Sequence, residues 1–260
     1  MDVRMDGRKA LVTGASLGLG RAMAERFAGA GASVAIVARR ADVLAEAKAS
    51  IEAATGGDVV TITGDVSTME GCQAVYDAAI AGMGQVDVLV NNAGSSQRGP
   101  FAEISDEMWR ADIDLKLFAC IRLCRLAIPE MQKRKWGRVI NILNTGAKAP
   151  PAQGAPTAVS RAAGMALTKA MAQEVVADNV LVNALLVGRI ESDQWVRRHA
   201  AEDKGRSLDD FYAEMGATLP MGRLGTAQEF ANAACFLASE QGSYISGVAL
   251  NVDGGLCPVV

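Results

Sequence analysis

Residues 10–20 read ALVTGASLGLG, and this stretch decides the fold. It begins with an apolar run, continues with glycines at positions 14, 18 and 20, and leads into a helical pattern from Arg21 to Ala30. Glycines at this spacing permit a tight turn and a close approach of the backbone to a bound anion. The first N–H groups of a helix lack partners and lie at the positive end of its dipole, so phosphate binds there. The stretch therefore predicts a strand, a phosphate-binding turn and a helix in succession.

The alternation of strand and helix patterns continues to the C-terminus. Short apolar runs recur at 10–12, 33–37, 58–62, 86–90, 138–143, 180–186 and 248–252. Helical patterns separate them at 21–30, 42–54, 69–83, 106–133, 158–177 and 227–238. Continuous apolar strands separated by helices indicate a parallel sheet that is covered on both faces. We therefore expect an α/β protein with a single doubly wound Rossmann domain over residues 1–260 and a parallel sheet of about seven strands.

One region departs from this alternation. Residues 189–220 are charged and mixed in character, and they carry Trp195, His199, Phe211 and Tyr212. They follow the predicted sixth strand, and ligands of doubly wound folds bind beyond the carboxyl ends of the strands. We predict that this segment covers the cleft as a substrate lid. A surface excursion without a role in binding is the alternative.

Composition argues against several classes of function. The net charge of −3 comes without a basic face, which argues against nucleic-acid binding. No apolar run reaches about 18 residues, so no membrane span is predicted. A single histidine, and five cysteines without zinc spacing, predict no metal site. The odd cysteine count and the lack of a signal-peptide pattern lead us to expect a reducing, cytoplasmic location.

Further motifs follow the other predicted strands. Asp65-Val66 comes after the third strand, Asn-Asn-Ala-Gly stands at 91–94 after the fourth, and Val-Asp-Gly-Gly closes the seventh at 252–255. With Thr-Gly-x-x-x-Gly-x-Gly at 13–20, they resemble the short-chain dehydrogenase/reductase family along nearly the whole chain. The loop that ends at Ser192 is similar to the segment that touches the nicotinamide in that family. The resemblance and the glycine turn together predict a nicotinamide dinucleotide bound by Gly14, Ala15, Ser16, Leu17, Leu19, Gly20, Arg39, Arg40, Asp65, Val66, Asn92, Ala93, Gly94 and Ser192.

The segment Val37-Ala38-Arg39-Arg40 bears on the choice of cofactor. An acidic residue after the second strand would bind the ribose hydroxyls and repel a 2′-phosphate. Here no acid is present, and two guanidinium groups are available to a phosphate. Arg39 also stands where NADP-preferring members of the resembled family carry arginine. We expect NADP(H) in preference to NAD(H); the alternative is that both arginines are merely solvated at a helix start.

The positions at which the resembled family keeps its catalytic groups are all changed. That family has a tyrosine and a lysine four residues apart at a helix start, a serine thirteen residues before the tyrosine, and an asparagine on the preceding long helix. Alignment on these spacings puts Thr157 at the tyrosine, Arg161 at the lysine, Asn144 at the serine and Asp114 at the asparagine. The resemblance therefore implies a divergent member that lacks the Ser-Tyr-Lys set.

These replacements change the chemistry of the site. A threonine hydroxyl is a poor general acid or base near neutral pH, unlike a phenol with a pKa of about 10. Arg161 cannot release its proton, whereas Asn144 can donate a hydrogen bond to a carbonyl oxygen. We expect Asp114 and Arg161 to form an ion pair that is structural rather than catalytic. Tyr212 and His199 are alternative proton donors, although packing is the more common use of such residues.

Three functions are compatible with these residues. The first, favoured by the family resemblance, is an NADP(H)-dependent oxidoreductase for a small carbonyl or alcohol substrate, with atypical proton transfer. The second is a dinucleotide-binding sensor or partner subunit without turnover. The third is a non-redox lyase on the same fold. The helices at 106–133 and 158–177 carry more apolar surface than one face of a sheet needs, and the family resemblance implies a homotetramer or homodimer formed through them. A monomer with well-buried helices is the alternative.

Overall fold

A single sheet of seven parallel strands forms the centre of the computed structural model, which describes residues 2–202 and 205–260. The strands are β1 (Lys9–Thr13), β2 (Ser33–Ala38), β3 (Val59–Thr63), β4 (Val88–Asn91), β5 (Gly137–Asn144), β6 (Val180–Val187) and β7 (Ala249–Val252). Their order across the sheet is β3-β2-β1-β4-β5-β6-β7. The prediction of a single doubly wound α/β domain with about seven parallel strands is confirmed.

Helices cover both faces of the sheet. They are α1 (Gly18–Gly29), α2 (Ala41–Thr55), α3 (Met69–Met83), α4 (Asp106–Ile113), α5 (Ala119–Lys133), α6 (Thr157–Val175), α7 (Asp193–Glu202), α8 (Leu208–Ala217) and α9 (Ala227–Ala238). One core, with Phe27, Ile51 and Phe230, lies between the sheet and α1, α2 and α9. A second core, with Leu123 and Val175, lies between the sheet and α3, α5 and α6. Because both faces are buried, the strands lack the polar alternation of a half-exposed sheet.

The order of the strands reverses beside β1, and this reversal determines where a ligand site can form. Ala10 pairs with Val34 of β2 on one side and with Val88 of β4 on the other. The crossovers that leave β1 and β3 therefore run in opposite directions across the sheet. Such a reversal opens a crevice at the carboxyl ends of the strands, where ligands bind in this architecture.

The helical pattern predicted at 106–133 is not one continuous α-helix. A π-helical turn from Asp114 to Phe118 separates α4 from α5. A π turn holds an additional residue, so it rotates the following side chains around the helix axis. The residues before and after the π turn are both helical, so the sequence pattern resembles one continuous helix and does not show the rotation.

The predicted lid at 189–220 contains two helices, α7 and α8. The ring of His199 on α7 packs against that of Phe211 on α8, with centroids 5.5 Å apart. At the start of the segment, Ile190 forms a parallel bridge with Gly225. Asp203 and Lys204 also belong to the predicted lid but lie outside the described residues. Within 2–202 and 205–260, no helix is both long and apolar enough for a membrane span.

Candidate active site

A cleft of about 1040 Å³ opens at the carboxyl ends of the strands. Almost all residues predicted to bind a cofactor line it: Gly14, Ser16, Leu17, Leu19, Gly20, Arg39, Arg40, Asp65, Val66, Asn92, Ala93, Gly94 and Ser192. Ala15 is the exception, because it is fully buried beneath the turn, where its N–H donates to the carbonyl of Val37 at 3.1 Å. The structure thus brings together residues that follow β1, β2, β3, β4 and β6.

The turn between β1 and α1 requires its glycines. Gly14 and Gly18 have φ angles of +64° and +55°, in the left-handed region that glycine adopts readily. A Cβ on Gly20 would lie 2.2 Å from the carbonyl oxygen of Gly14, so a side chain cannot fit there. No side chain caps the first turn of α1, which leaves its N–H groups available to an anion. The turn therefore fits a phosphate-bearing ligand.

Asn92, which directly follows β4, hydrogen-bonds to this turn and holds it in place. Its Nδ2 donates to the carbonyl oxygens of Thr13 and Gly14 at 2.9 and 3.0 Å. The hydroxyl of Thr13 in return accepts the N–H groups of Asn92 and Ala93, both at 3.0 Å. The amide of Asn92 is thus used inside the protein, and its contribution to the cleft is to hold the phosphate turn in place.

Two exposed arginines stand beyond the end of β2. Arg39 and Arg40 line the cleft, and neither guanidinium donates a hydrogen bond to another described residue. Across the cleft, Oδ1 of Asp65 accepts the N–H of Ser67 at 3.0 Å. This hydrogen bond lowers the pKa of Asp65, and the charge of Arg39 lowers it further. The β2 end of the cleft therefore carries two guanidinium groups near a single carboxylate, that of Asp65.

Thr157, the first residue of α6, is enclosed rather than open to the cleft. Its Oγ1 accepts the N–H of Gln97 at 3.0 Å and Nζ of Lys116 at 2.7 Å. The same hydroxyl donates to the carbonyl oxygen of Gln97 at 2.8 Å. A hydroxyl has one proton and two lone pairs, so these bonds leave no capacity for a further ligand. Thr157 serves to hold the segment around Gln97 against α6.

A charged cluster is buried beside Thr157. The side chain of Lys116 is 1% exposed and pairs with Asp112, whose Oδ2 also accepts the hydroxyl of Ser160 at 2.6 Å. Burial lowers the pKa of Lys116 to about 8, and the nearby charge of Arg161 lowers it further, although the bond to Asp112 opposes both effects. This lysine is therefore an unusually acidic ammonium group.

Arg161 adds a second cation to this cluster. Its Nη1 donates to the carbonyl oxygen of Ile142 at 2.8 Å. A Cβ on Gly94 would lie 2.7 Å from Nη2, so the guanidinium lies directly behind the cleft wall. Burial lowers the pKa of Arg161 to about 10, while the charge of Asp112 opposes the shift. Both cations therefore adjoin the β4 end of the cleft.

Asn144 ends β5, on the same side of the sheet as this cluster. Its Oδ1 is buried and has no hydrogen-bond partner among the described residues. An amide oxygen is a hydrogen-bond acceptor, so this buried atom could be satisfied only by a donor. Among the described residues, Asp114 lines the cleft, whereas Asn144 is not part of its lining.

The lid contributes further residues to the cleft. Gln194 and Arg197 on α7 line it together with Ser192. The ring nitrogen Nε2 of His199 lies 2.8 Å from the carbonyl oxygen of Arg206, which ties α7 to the turn before α8. Tyr212 packs against Phe211 with centroids 6.0 Å apart. The structure thus gives both alternative proton donors packing contacts within the lid.

Sequence comparison agrees with the geometry of this cleft. Residues 8–203 match the family described as short chain dehydrogenase. The chain belongs to this family. It is 35% identical to the 3-oxoacyl-(acyl-carrier-protein) reductase FabG of Escherichia coli (strain K12) over 255 residues, which cover 98% of this chain and 99% of that protein. The sequence resemblance to short-chain dehydrogenases is confirmed.

Solved short-chain dehydrogenase structures superimpose closely on the chain. L-sorbose reductase from Gluconobacter frateurii, complexed with NADPH and L-sorbose, matches with a TM-score of 0.95 and 34% identity, and all of both chains is covered. A 3-oxoacyl (acyl-carrier-protein) reductase from Agrobacterium tumefaciens, with NADP bound, matches with a TM-score of 0.89 and 31% identity over 97% of this chain and 95% of that one.

The structure corrects one predicted position in this short-chain dehydrogenase. Asp114 does not pair with Arg161; its Oδ1 accepts Nη2 of Arg122 at 3.1 Å. Lys116, two residues further along, is the residue whose side chain contacts Thr157. The π turn at Asp114–Phe118 determines which of these side chains face α6, so the expected ion pair with Arg161 does not form. The Asp112–Lys116 pair was present at helical spacing, but nothing in the sequence marked it as buried.

Proposed function

We propose that this short-chain dehydrogenase is an NADP(H)-dependent oxidoreductase for a small carbonyl or alcohol substrate. The observation that carries the proposal is the pair Arg39 and Arg40, two exposed cations without hydrogen-bond partners among the described residues at the β2 end of a dinucleotide-sized cleft. A 2′-phosphate there would form charge-assisted hydrogen bonds with them. The NADPH and NADP in two of the similar structures support this choice.

The described residues divide the cleft into functional parts. The N–H groups of the turn at 14–20 would hold the pyrophosphate, and Asp65 and Val66 would border the adenine. Asn92 braces the turn, while Gly94 and Ser192 border the opposite end, where the nicotinamide would lie. When bound, the nicotinamide supplies or accepts the hydride. The protein binds and orients the dinucleotide, and the segment at 189–220 is proposed to cover the substrate.

The proton must be handled differently from the family pattern. Thr157 replaces the phenol, and its hydroxyl is already fully hydrogen-bonded by Gln97 and Lys116. Asn144, at the position of the family's serine, could orient a substrate carbonyl through a hydrogen bond donated by its Nδ2. We infer that the substrate oxygen exchanges its proton with water in the cleft rather than with residue 157. This requirement favours substrates whose reduction does not depend on a strong protein acid.

A second candidate function is dinucleotide binding without turnover. The specific observation in its favour is the enclosure of Thr157, which lies 4% exposed beneath the segment that contains Gln97. A protein that had lost catalysis could retain the phosphate turn and the arginines while its proton-transfer position became a packing contact. In that case the chain would act as a sensor or as a partner subunit.

The test compares the binding of NADPH and NADH by calorimetry. We expect the wild type to prefer NADPH, and Arg39→Ala to weaken NADPH binding about tenfold or more while NADH binding stays unchanged, since a charge-assisted hydrogen bond contributes roughly 1.5–3 kcal/mol. Arg4→Ala, an exposed arginine near the N-terminus, serves as the control. Absence of binding, or an unchanged preference in Arg39→Ala, would overturn the proposal.

Turnover then separates the two candidates. The purified protein is mixed with NADPH and a panel of ketones, 3-oxoacyl thioesters and ketoses, and the absorbance of the reduced nicotinamide is followed. Oxidation of NADPH with any of them supports the oxidoreductase. Tight binding without turnover across all of these classes supports the sensor or partner subunit.

A further inference from the structure

The buried charges lie at the opposite end of the cleft from Arg39. The cleft runs from Arg39 and Asp65, beyond β2 and β3, across the turn at 14–20 to Gly94 and Ser192. A dinucleotide whose phosphate meets Arg39 must therefore place its nicotinamide near Gly94. Arg161 lies directly behind Gly94, and Cγ of Lys116 would lie 3.7 Å from a Cβ at the same position.

The charges at this end do not cancel. Asp112 contributes one negative charge, while Lys116 and Arg161 contribute one positive charge each, which leaves one positive charge in excess. Asp114 also lines the cleft, but it is paired with Arg122 at 3.1 Å, so that pair adds no net charge. The remaining cluster contacts, the hydroxyls of Thr157 and Ser160 and the thiol of Cys120, are neutral.

We propose that this excess charge, supplied by Lys116 and Arg161 against Asp112, makes the cleft bind the reduced dinucleotide more tightly than the oxidised form. The inference rests on the proposed function, because it requires a nicotinamide at the Gly94 end. It adds to that function a binding preference suited to a reductase: the protein holds NADPH tightly and releases NADP⁺ readily.

The physical reason is electrostatic. The nicotinamide ring carries a positive charge when oxidised and none when reduced. Lys116 is only 1% exposed, so solvent and salt screen its charge weakly. At an effective dielectric constant of about 20 and a separation of roughly 8 Å, one unit charge changes a binding constant by more than tenfold. The cluster thus opposes the oxidised ring and leaves the reduced ring unaffected.

Variants that change the cluster charge test the inference. We would measure the dissociation constants of NADPH and NADP⁺ by calorimetry at neutral pH for the wild type and Lys116→Met. These two proteins have cluster charges of one and zero in excess. Lys116→Arg retains the charge, and Lys133→Met removes an exposed lysine from the end of α5 as a matched control. Circular dichroism and thermal unfolding check that each variant is folded.

The expected preference for NADPH follows the cluster charge. It should be tenfold or more in the wild type and fall at least threefold in Lys116→Met through tighter NADP⁺ binding. Lys116→Arg and Lys133→Met should match the wild type. If Lys116→Met does not fold, Lys116→Gln, which also removes the charge, takes its place.

The experiment distinguishes failure of the proposed function from failure of the electrostatic inference. If the protein binds neither NADPH nor NADP⁺, the proposed function itself is wrong. If it binds both forms equally, or if the preference is the same in Lys116→Met and in the wild type, the electrostatic selection is overturned while dinucleotide binding stands.

Discussion

Lys116 lies in an unusual environment for a lysine, because its side chain is buried. Lysine side chains are almost always solvated, and a buried ammonium group is unfavourable unless it is paired and hydrogen-bonded. Here Asp112 supplies the charge partner and Thr157 supplies a hydroxyl oxygen 2.7 Å away. A buried pair of this kind contributes little net stability, so its position beside a ligand cleft points to an electrostatic role.

The depressed pKa of Lys116 predicts a distinct pH dependence of stability. Above pH 8 the folded protein loses this proton while the unfolded chain keeps it up to about pH 10.5, so the unfolded state binds more protons and stability rises with pH. Relative to Lys116→Met, the free energy of unfolding of the wild type should increase by roughly 2 kcal/mol between pH 8 and 9.5. Urea unfolding of both proteins measures this difference, and parallel curves for the two would contradict it.

Gly94 is predicted to be required because of Arg161. A Cβ at position 94 would lie 2.7 Å from Nη2 of Arg161, so this guanidinium would have to shift, and the shift would strain the bond from its Nη1 to Ile142. We expect Gly94→Ala to lower the free energy of unfolding by on the order of 1–2 kcal/mol and to weaken dinucleotide binding. Gly99→Ala is the control, since nothing lies within 4 Å of its Cβ position. Urea unfolding and calorimetry measure the two effects; equal values for both variants would contradict the assigned contact.

At the scale of elements, the π turn between α4 and α5 organises the charged cluster. Asp112 is near the end of α4, Lys116 lies within the turn, and both contact residues at the start of α6. Asp114, between them, instead pairs with Arg122 on α5 and lines the cleft. π turns recur at functional sites because the additional residue redirects neighbouring side chains.

The capping box of α9 is expected to stabilise the helix that packs against α1. The hydroxyl of Thr226 accepts the N–H of Glu229 at 3.2 Å, and Oε2 of Glu229 accepts the N–H of Thr226 at 2.8 Å. Bonds from Arg223 and from the Thr226 backbone lower the pKa of Glu229 to about 2. We expect Thr226→Ala to lower the free energy of unfolding by about 1 kcal/mol or more.

Ser105 provides the comparison for this cap. Ser105 caps the start of α4: its hydroxyl accepts a hydrogen bond from the N–H of Met108 at 3.3 Å, without the reciprocal bond of a capping box. Ser105→Ala should therefore cost less than Thr226→Ala in urea unfolding at neutral pH. A larger cost for Ser105→Ala would show that the reciprocal bonds of α9 are not what stabilises it.

At the scale of the whole molecule, one sheet supports both the cleft and the predicted oligomer surface. The carboxyl ends of the strands carry the glycine turn and the arginines, while α5 and α6 cover the face beside the charged cluster. Phe118 and Val159, on the helical segments at 106–133 and 158–177, remain 43% and 50% exposed. Apolar side chains of this size on neighbouring segments are typical of a surface that pairs with a second copy.

The predicted homotetramer or homodimer can be tested at this surface. Phe118→Asp should reduce the mass measured by light scattering toward that of a monomer, because it places a charge where an apolar contact is expected. Phe101→Asp is the control, since Phe101 is 77% exposed in the short 3-10 helix Phe101–Glu103, outside these helices. A monomeric wild type, or dissociation only in Phe101→Asp, would contradict the prediction.

The sequence by itself determined the order of strands and helices and most of the dinucleotide cleft. Residues 10–20 carry the strand, the glycine turn and the helix start within one short stretch, because hydrophobic periodicity and backbone freedom act locally. The Asn-Asn-Ala-Gly motif at 91–94 could be placed for the same reason, since it follows an apolar run directly. Ala15 was expected to contact the cofactor, but it is buried under the turn, and that burial depends on packing.

Only the tertiary structure decided the charge arrangement behind that cleft. Asp112 and Lys116 stand at helical spacing without a sequence signal of burial, and Asp114, which was expected to pair with Arg161, pairs with Arg122. Whether a charged side chain is solvated or buried depends on the elements that pack over it, here α6 and the segment around Gln97. A π turn rotates the helix face without any sequence signal of its own. The energetics of these charges therefore follow from distances between segments far apart in the chain, which periodicity does not encode.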